Sequence, residues 1–472
     1  MLFSSAVFLF FFLPICLSAY YLSRGSNLVL LALSLLFYAW GEPILVTVMI
    51  GTIIVNFFMG RLIDENRHLP ARRKFILGVG IALNLILLGS FKYANFFIAI
   101  ANAVLARLGM APVSNLDIPL PLGISFFTFQ SMSYLIDIYR HDSHAEKRIV
   151  NFALFKTLFP QLIAGPIVRY TELARQLTTR KVDLPLFAEG VERFVIGLAQ
   201  KVLVADVLAV TADAIFALPS PALSFVVSWT GVVAFALQIY FDFSGYSNMA
   251  IGLSLMLGFR LPENFNYPYA ALSIQDFWRR WHMTLSRWFR DYLYIPLGGN
   301  QKGPVRTGIN LVVVFFLCGL WHGANTTFIV WGLYHGLFLT LERSRFGGWL
   351  ARWPLTLRHA YVLMVVVIGW TVFRAPTLAG AIEMGRGMLG YNGFSNADFA
   401  LRQFADSRTL LFALIGAMFS FPAIGERARA AISGGDGTLR PLAKALCVGA
   451  LFVVSIAFIG AQTHRAFIYF RF

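Results

Sequence analysis

Long apolar runs separated by short polar links recur along the whole chain, near residues 2–22, 27–41, 44–60, 75–91, 118–136, 149–165, 190–210, 222–241, 246–261, 307–322, 326–341, 360–374, 408–424 and 443–461. A hydrocarbon layer about 30 Å thick needs roughly 20 apolar residues in a helix, the one short element that satisfies its own backbone polar groups. Allowing for runs that re-enter or merge, the pattern predicts an all-α polytopic integral membrane protein. It would have about 11 to 13 spanning helices plus re-entrant and amphipathic ones. The opening MLFSSAVFLFFFLPICLSAYYLSR lacks the basic start of a secretory leader, and its apolar stretch is too long and too aromatic, so it reads as a retained first helix. The longest polar loops, near 391–408 and 425–442, are too short to fold alone, and no repeat interrupts the pattern. A single membrane domain over 1–472 is expected.

Composition agrees: 58% of residues are hydrophobic and 13% charged, and the mean hydropathy is +0.68, which a soluble globule could not hide. The net charge of +16 would suggest nucleic acid in a soluble protein. Here the basic residues crowd into links: Arg61, Arg67, Arg72, Arg73 and Lys74; then Arg169, Arg175, Arg180 and Lys181; then Arg343, Arg345, Arg352 and Arg358. Such links face the cytoplasm and anionic headgroups, so membrane lipids are expected partners and nucleic acid is not. Three cysteines, Cys16, Cys318 and Cys447, lie scattered with no CxxC pair, which argues against a disulfide framework and a cysteine metal site.

Two segments depart from this background. In LCGLWHGANTTFIVWGLYHG (317–336), His322 stands beside Trp321 between Gly319 and Gly323, inside a stretch apolar enough to cross a bilayer. An ionisable side chain at that depth is costly, and histidine is the one suited to exchanging a proton near neutral pH. His335 follows thirteen residues later, nearly opposite on a continuous helix, so a shared site would need a break near Asn325.

The second segment is QDFWRRWHMTLSRWFRDYLYIPLGGN (275–300), too charged to span and too aromatic for a solvated loop. Phe277, Trp281, Leu285, Trp288 and Tyr292 form one apolar stripe at helical spacing, with His282 beside it and Arg279, Arg280, Arg287 and Arg290 off it; Pro296, Gly298 and Gly299 would end the helix. It reads either as an interfacial anchor or as a helix whose arginines, with Lys302 and Arg306, meet the phosphates of a nucleotide-containing acyl donor. Upstream, QIYFDFSGYSNMAIG (238–252) places Asp242, Ser244, Tyr246, Ser247 and Asn248 among apolar residues. Interhelical hydrogen bonds explain most of these, whereas a buried Asp242 needs a partner such as an arginine, a histidine or a hydroxyl network. No GxSxG, HExxH or Walker A signature occurs, and no GxGxxG follows a strand, which disfavours a serine hydrolase, a zinc peptidase, an ATP-driven pump and a dinucleotide oxidoreductase.

The blocks PLGISFFTFQSMSYLIDIYR (121–140), QLIAGPIVR (161–169), QIYFDFSGYSNMAIG (238–252), ENFNYPY (263–269), FWRRWHMTLSRWFRDYLYIPLGGN (277–300) and GLWHGANTTFIVWGLYHG (319–336) occur in an order that resembles the membrane-bound O-acyltransferases. The resemblance points to their bacterial alginate O-acetylation branch and, more distantly, to the D-alanyl transfer proteins of teichoic acids. It extends from the MLFSSAVFLFFFLP opening to the FIYFRF end and thins between about 377 and 442, where no role is assigned.

What the resemblance implies is a bundle of tilted helices around a central tunnel, with a catalytic core at about 118–342. His322 would be the general base and His282 the second motif histidine, orienting the donor carbonyl or the leaving group. Beside the resemblance, the reading of the residues themselves offers Trp321, His335, Asp242, Asn248 and the four arginines Arg279, Arg280, Arg287 and Arg290 as donor- or substrate-binding candidates. The implied activity is an O-acetyltransferase of the bacterial inner membrane. It would use acetyl-CoA from the cytoplasm, hold no bound cofactor or metal, and serve an exported polysaccharide such as alginate, cellulose or another envelope glycan through periplasmic partner proteins. Read without the resemblance, the same polar residues could line a transport pathway with no acyl transfer, or belong to a structural subunit of a secretion complex.

Overall fold

The computed structural model describes residues 1–396, 399–425, 427 and 439–461. Among these the chain is helical, with no strand. In chain order the framework helices are α1 (Val46–Glu65), α2 (Pro70–Lys92), α3 (Leu184–Phe216), α4 (Phe225–Met256), α5 (Ile274–Arg280), α6 (Met283–Phe289), α7 (Gly303–His322), α8 (Thr326–Glu342), α9 (Leu355–Arg374) and α10 (Pro441–Ala461). Among the described residues, seven helices are long and apolar enough to cross a membrane, namely all of these except α5, α6 and α8. Shorter apolar helices run over Phe8–Leu22, Asn27–Gly41, Ala94–Arg107 and Ser407–Phe419. The architecture is that of a multi-pass membrane protein. The FIYFRF end and most of the loop at 425–442 lie outside the described residues.

Three expected runs resolve differently. The runs at 222–241 and 246–261 are one helix, α4, because the polar stretch between them finds protein partners and has no need of water. The run at 149–165 splits into Ile149–Thr157 and Phe159–Leu162, the second opening with Pro160 in its first turn.

The chain forms two compact units, Met1–Val191 with Ala250–Pro262, and Glu192–Met249 with Glu263–Phe472. In the first, α1 and α2 are joined by a reciprocal amide pair, Asn84 Nδ2 donating to Asn56 Oδ1 at 2.7 Å and Asn56 Nδ2 to Asn84 Oδ1 at 3.3 Å. Polar pairs of this kind tie helices together where lipid offers no competing partner. Arg73 is a correction to the headgroup reading of the basic links. It is buried and donates to the carbonyls of Ile138 and Tyr139, at the end of Ile124–Arg140.

In the second unit, α3 carries a π-helical turn at Gln200–Ala205. Lys201 lies in that turn, 2.6 Å from Asp206 and 2.6 Å from Asp242 on α4. The buried Asp242 thus has the partner its burial called for, and that partner includes a lysine. Asn248, one and a half turns further along α4, accepts from Arg193 Nε at 2.9 Å and donates to Gln200 Oε1 at 2.7 Å. These contacts join α3 to α4 along their length.

Candidate active site

Helix α7 ends at His322 because Gly323 turns extended, and Asn325 then caps α8 by accepting from the Thr327 N–H at 3.3 Å. This is the break that His322 and His335 required. The two helices return against each other on glycine: a Cβ on Gly319 would lie 2.3 Å from the Phe328 carbonyl oxygen, and one on Gly332 2.2 Å from that of Phe315. Only residues without a side chain permit this approach. The glycines of the 319–336 motif therefore set where His322 stands.

His322 is 4% exposed, and its ring meets the edges of Trp321, Trp331 and Phe373 with centroids 4.9, 5.1 and 5.3 Å away. Phe373 comes from α9, so three helices close an aromatic cage around one imidazole. Trp321 also lies 6.0 Å from the ring of His282. One indole therefore touches both histidines, and they belong to one site.

The expected single helix over 275–300 is broken. α5 stops at Arg280, Trp281 is extended, and His282 adopts left-handed backbone angles (φ 43°, ψ 53°) before α6 begins. A left-handed backbone conformation of this kind costs a residue with a Cβ roughly 1–3 kcal/mol and persists only where its surroundings hold it. The holding group is Asn264. Its backbone carbonyl accepts the Met283 N–H at 2.9 Å, and its side-chain oxygen accepts the Thr284 hydroxyl at 2.9 Å and the Thr284 N–H at 3.3 Å. Asn264 Nδ2 in turn donates to Ser247 Oγ on α4 at 3.1 Å. Because a backbone N–H can only donate, the Asn264 atom facing it is oxygen. His282 Nδ1, 3.1 Å from that same oxygen, must therefore carry its proton. The remaining nitrogen, Nε2, is the basic one. Phe243 closes one side of the ring at 4.7 Å.

The aromatic stripe is buried as its spacing required, with Phe277, Trp281, Leu285, Trp288 and Tyr292 all inside. Arg279 and Arg290 are exposed, Arg280 pairs with Asp276 at 2.9 Å, and Arg290 pairs with Asp291 at 2.6 Å. Arg287 is half-buried, and Lys302 and Arg306 are exposed. The arginines thus do not share the buried surroundings of His282. His335 lies one turn beyond Trp331 on α8, fully buried, with Nδ1 accepting from Trp278 Nε1 at 3.4 Å. The Trp331 ring, 5.1 Å from His322 and 5.2 Å from His335, stands next to both. Among the described residues no three His, Cys, Asp or Glu side chains are grouped to hold a metal.

Sequence reasoning missed Asn264 and Lys201. The first lay in the ENFNYPY block with no role assigned, and an asparagine in a polar link carries no periodic signal. The second could have been found, since a lone lysine inside the apolar run 190–210 demands a partner just as Asp242 does.

A multi-pass helical bundle with two histidines buried in one aromatic site is an arrangement suited to proton transfer away from water. The sequence profile of the membrane-bound O-acyltransferase family matches residues 140–380. The chain is 42% identical to a probable alginate O-acetylase AlgI of Pseudomonas putida over the full length of both. It is 40% identical to the probable alginate O-acetylase AlgI of Azotobacter vinelandii, again over all of both chains. It is also 36% identical to a peptidoglycan O-acetyltransferase of Helicobacter pylori over 84% of this chain and 81% of that one. The chain belongs to the membrane-bound O-acyltransferase family and is an O-acyltransferase.

Proposed function

We propose that this protein takes acetyl groups from acetyl-CoA on the cytoplasmic side of the bacterial inner membrane and passes them across for O-acetylation of an exported polysaccharide, alginate first among candidates. The observation that carries the reading is the Trp321 indole in contact with both His322 and His282. The names borne by the full-length relatives support the acyl group and the polymer class.

In this reading His322 takes the proton of an acceptor hydroxyl as its oxygen attacks the thioester carbonyl. The new C–O bond forms, the C–S bond breaks, and the proton returns from the imidazolium to the departing thiolate. The tautomer of His282 sharpens its part. With the Nδ1 proton spent on Asn264, neutral His282 offers a lone pair at Nε2, which suits orienting the leaving thiol and not donating to the donor carbonyl. No bound cofactor or metal enters these steps. A separate periplasmic partner places the acetyl group on the polymer. The Helicobacter pylori relative favours a second reading within the same chemistry, an envelope glycan other than alginate as final acceptor. Translocation without acyl transfer is set aside by family membership.

The test is thiol release from acetyl-CoA by the purified protein in nanodiscs, with partner and hydroxyl acceptor present. His322→Ala should lower the rate on the order of 100-fold or more while the protein stays folded. Equal rates would remove His322 as the base. No release by either protein would remove acetyl-CoA as the donor.

A further inference from the structure

The first unit contains a cavity of about 1080 Å³ where Phe8–Leu22 ends and Asn27–Gly41 begins. Arg24, Arg148, Arg180 and Lys181 line it, and no carboxylate does. These four cations are not equivalent. Arg180 builds the wall, donating to Tyr20 Oη at 2.9 Å and to the carbonyls of Gly25 and Leu177 at 2.8 and 3.2 Å, with its guanidinium 4.4 Å from the Phe259 ring. Arg24, Arg148 and Lys181 are exposed and enter no ion pair among the described residues. Glu146, two residues from Arg148, is already engaged. One of its oxygens accepts the N–H groups of Lys147 and Arg148 at 2.8 and 2.9 Å, and the other accepts the Tyr170 hydroxyl at 2.7 Å.

Three uncompensated cations around a cavity of this size attract an anion, and guanidinium groups favour phosphate oxygens. The exposed lip of the cavity includes apolar side chains, Leu28 and Ile149 at 62% and 42% exposure, and Leu22, next in sequence to the lining Tyr21, is 85% exposed. Tyr20 and Tyr21 donate to the carbonyls of Leu257 and Met256, which ties this wall of the cavity to the 256–257 segment. A soluble phosphate would satisfy the cations but would leave this lip in water. A lipid satisfies both. Arg180 and Lys181 also belong to a link that charge placement assigns to the cytoplasmic leaflet, where anionic lipids are found.

We infer that this cavity seats the phosphate of an anionic glycerophospholipid. Arg24, Arg148 and Lys181 contact its headgroup, and its acyl chains leave over Leu22, Leu28 and Ile149. The inference is independent of the acetyl donor and the final acceptor.

The experiment measures binding of short-chain phosphatidylglycerol, short-chain phosphatidylcholine and adenosine diphosphate to the full-length protein in a neutral detergent. Phosphatidylglycerol should bind at least tenfold more tightly than phosphatidylcholine. In the triple substitution Arg24→Gln, Arg148→Gln and Lys181→Gln that preference should vanish, with Arg180 left in place to keep the wall. Should the triple variant not fold, Arg148→Gln alone, an exposed single change, should weaken phosphatidylglycerol several-fold without shifting the melting temperature. Unchanged lipid preference in the folded variant overturns the site. Adenosine diphosphate displacing phosphatidylglycerol at equal concentration overturns the lipid assignment in favour of a soluble phosphate.

Discussion

Asn264 holds His282 from two directions, its side-chain oxygen 3.1 Å from Nδ1 and its backbone carbonyl 2.9 Å from the N–H of the next residue, Met283. One asparagine thereby fixes both the tautomer of the ring and the left-handed backbone beneath it. Replacing Asn264 with Ala should lower kcat roughly 10–100-fold, because a reacting group displaced by about 1 Å loses that much. Asn264→Asp, which keeps the accepting oxygen, should retain more of the rate. Steady-state kinetics on folded protein decide it, and an unchanged kcat in Asn264→Ala would sink the positioning role.

The packing of α7 on α8 yields a second expectation. Gly319→Ala would push a methyl to within 2.3 Å of a backbone carbonyl that cannot swing aside, at a cost of about 1–3 kcal/mol for overpacking. Gly348→Ala, where nothing lies within 4 Å, serves as the control. Thermal unfolding in detergent should show a lowered Tm for the first substitution and none for the second.

Lys201 sits between Asp206 and Asp242 with its side chain 5% exposed. Removing the cation from such a cluster leaves buried carboxylates uncompensated, which typically costs about 3–5 kcal/mol. Lys201→Met should therefore fail to accumulate or should melt far below the wild type. Adding Asp242→Asn to it should recover part of the loss, and a double variant as unstable as the single one would show that Asp242 is not the group left uncompensated.

His335 has its Nδ1 engaged by Trp278 and is packed against the far side of Trp331 from the motif break. His335→Gln should keep acyl transfer per folded molecule within about tenfold of the wild type, below the range expected for a lost general base. A loss as deep as that of His322→Ala would instead place His335 in the chemistry.

The site was partly legible beforehand. His322 stood out because an ionisable residue in an apolar run is costly whatever the fold, and helical geometry showed that a site shared with His335 would need a break near Asn325. The stripe from Phe277 to Tyr292 identified buried residues correctly but hid the turn at His282. Periodicity reports which side chains face inward, not whether the backbone between them stays helical. Asn264 was invisible for a different reason, since its partners lie in other segments of the chain, whereas Lys201 was legible as a lone lysine in an apolar run but its pairing with Asp242 was not.

By itself, then, the sequence determined the class of protein and the candidate histidine His322, because hydrophobic length and the cost of burying charge are local properties. The tertiary structure alone decided that Trp321 joins His322 to His282, that Asn264 fixes the second ring, and that Asp242 answers to Lys201. Those are contacts between distant segments, set by how helices pack once their apolar faces have been buried.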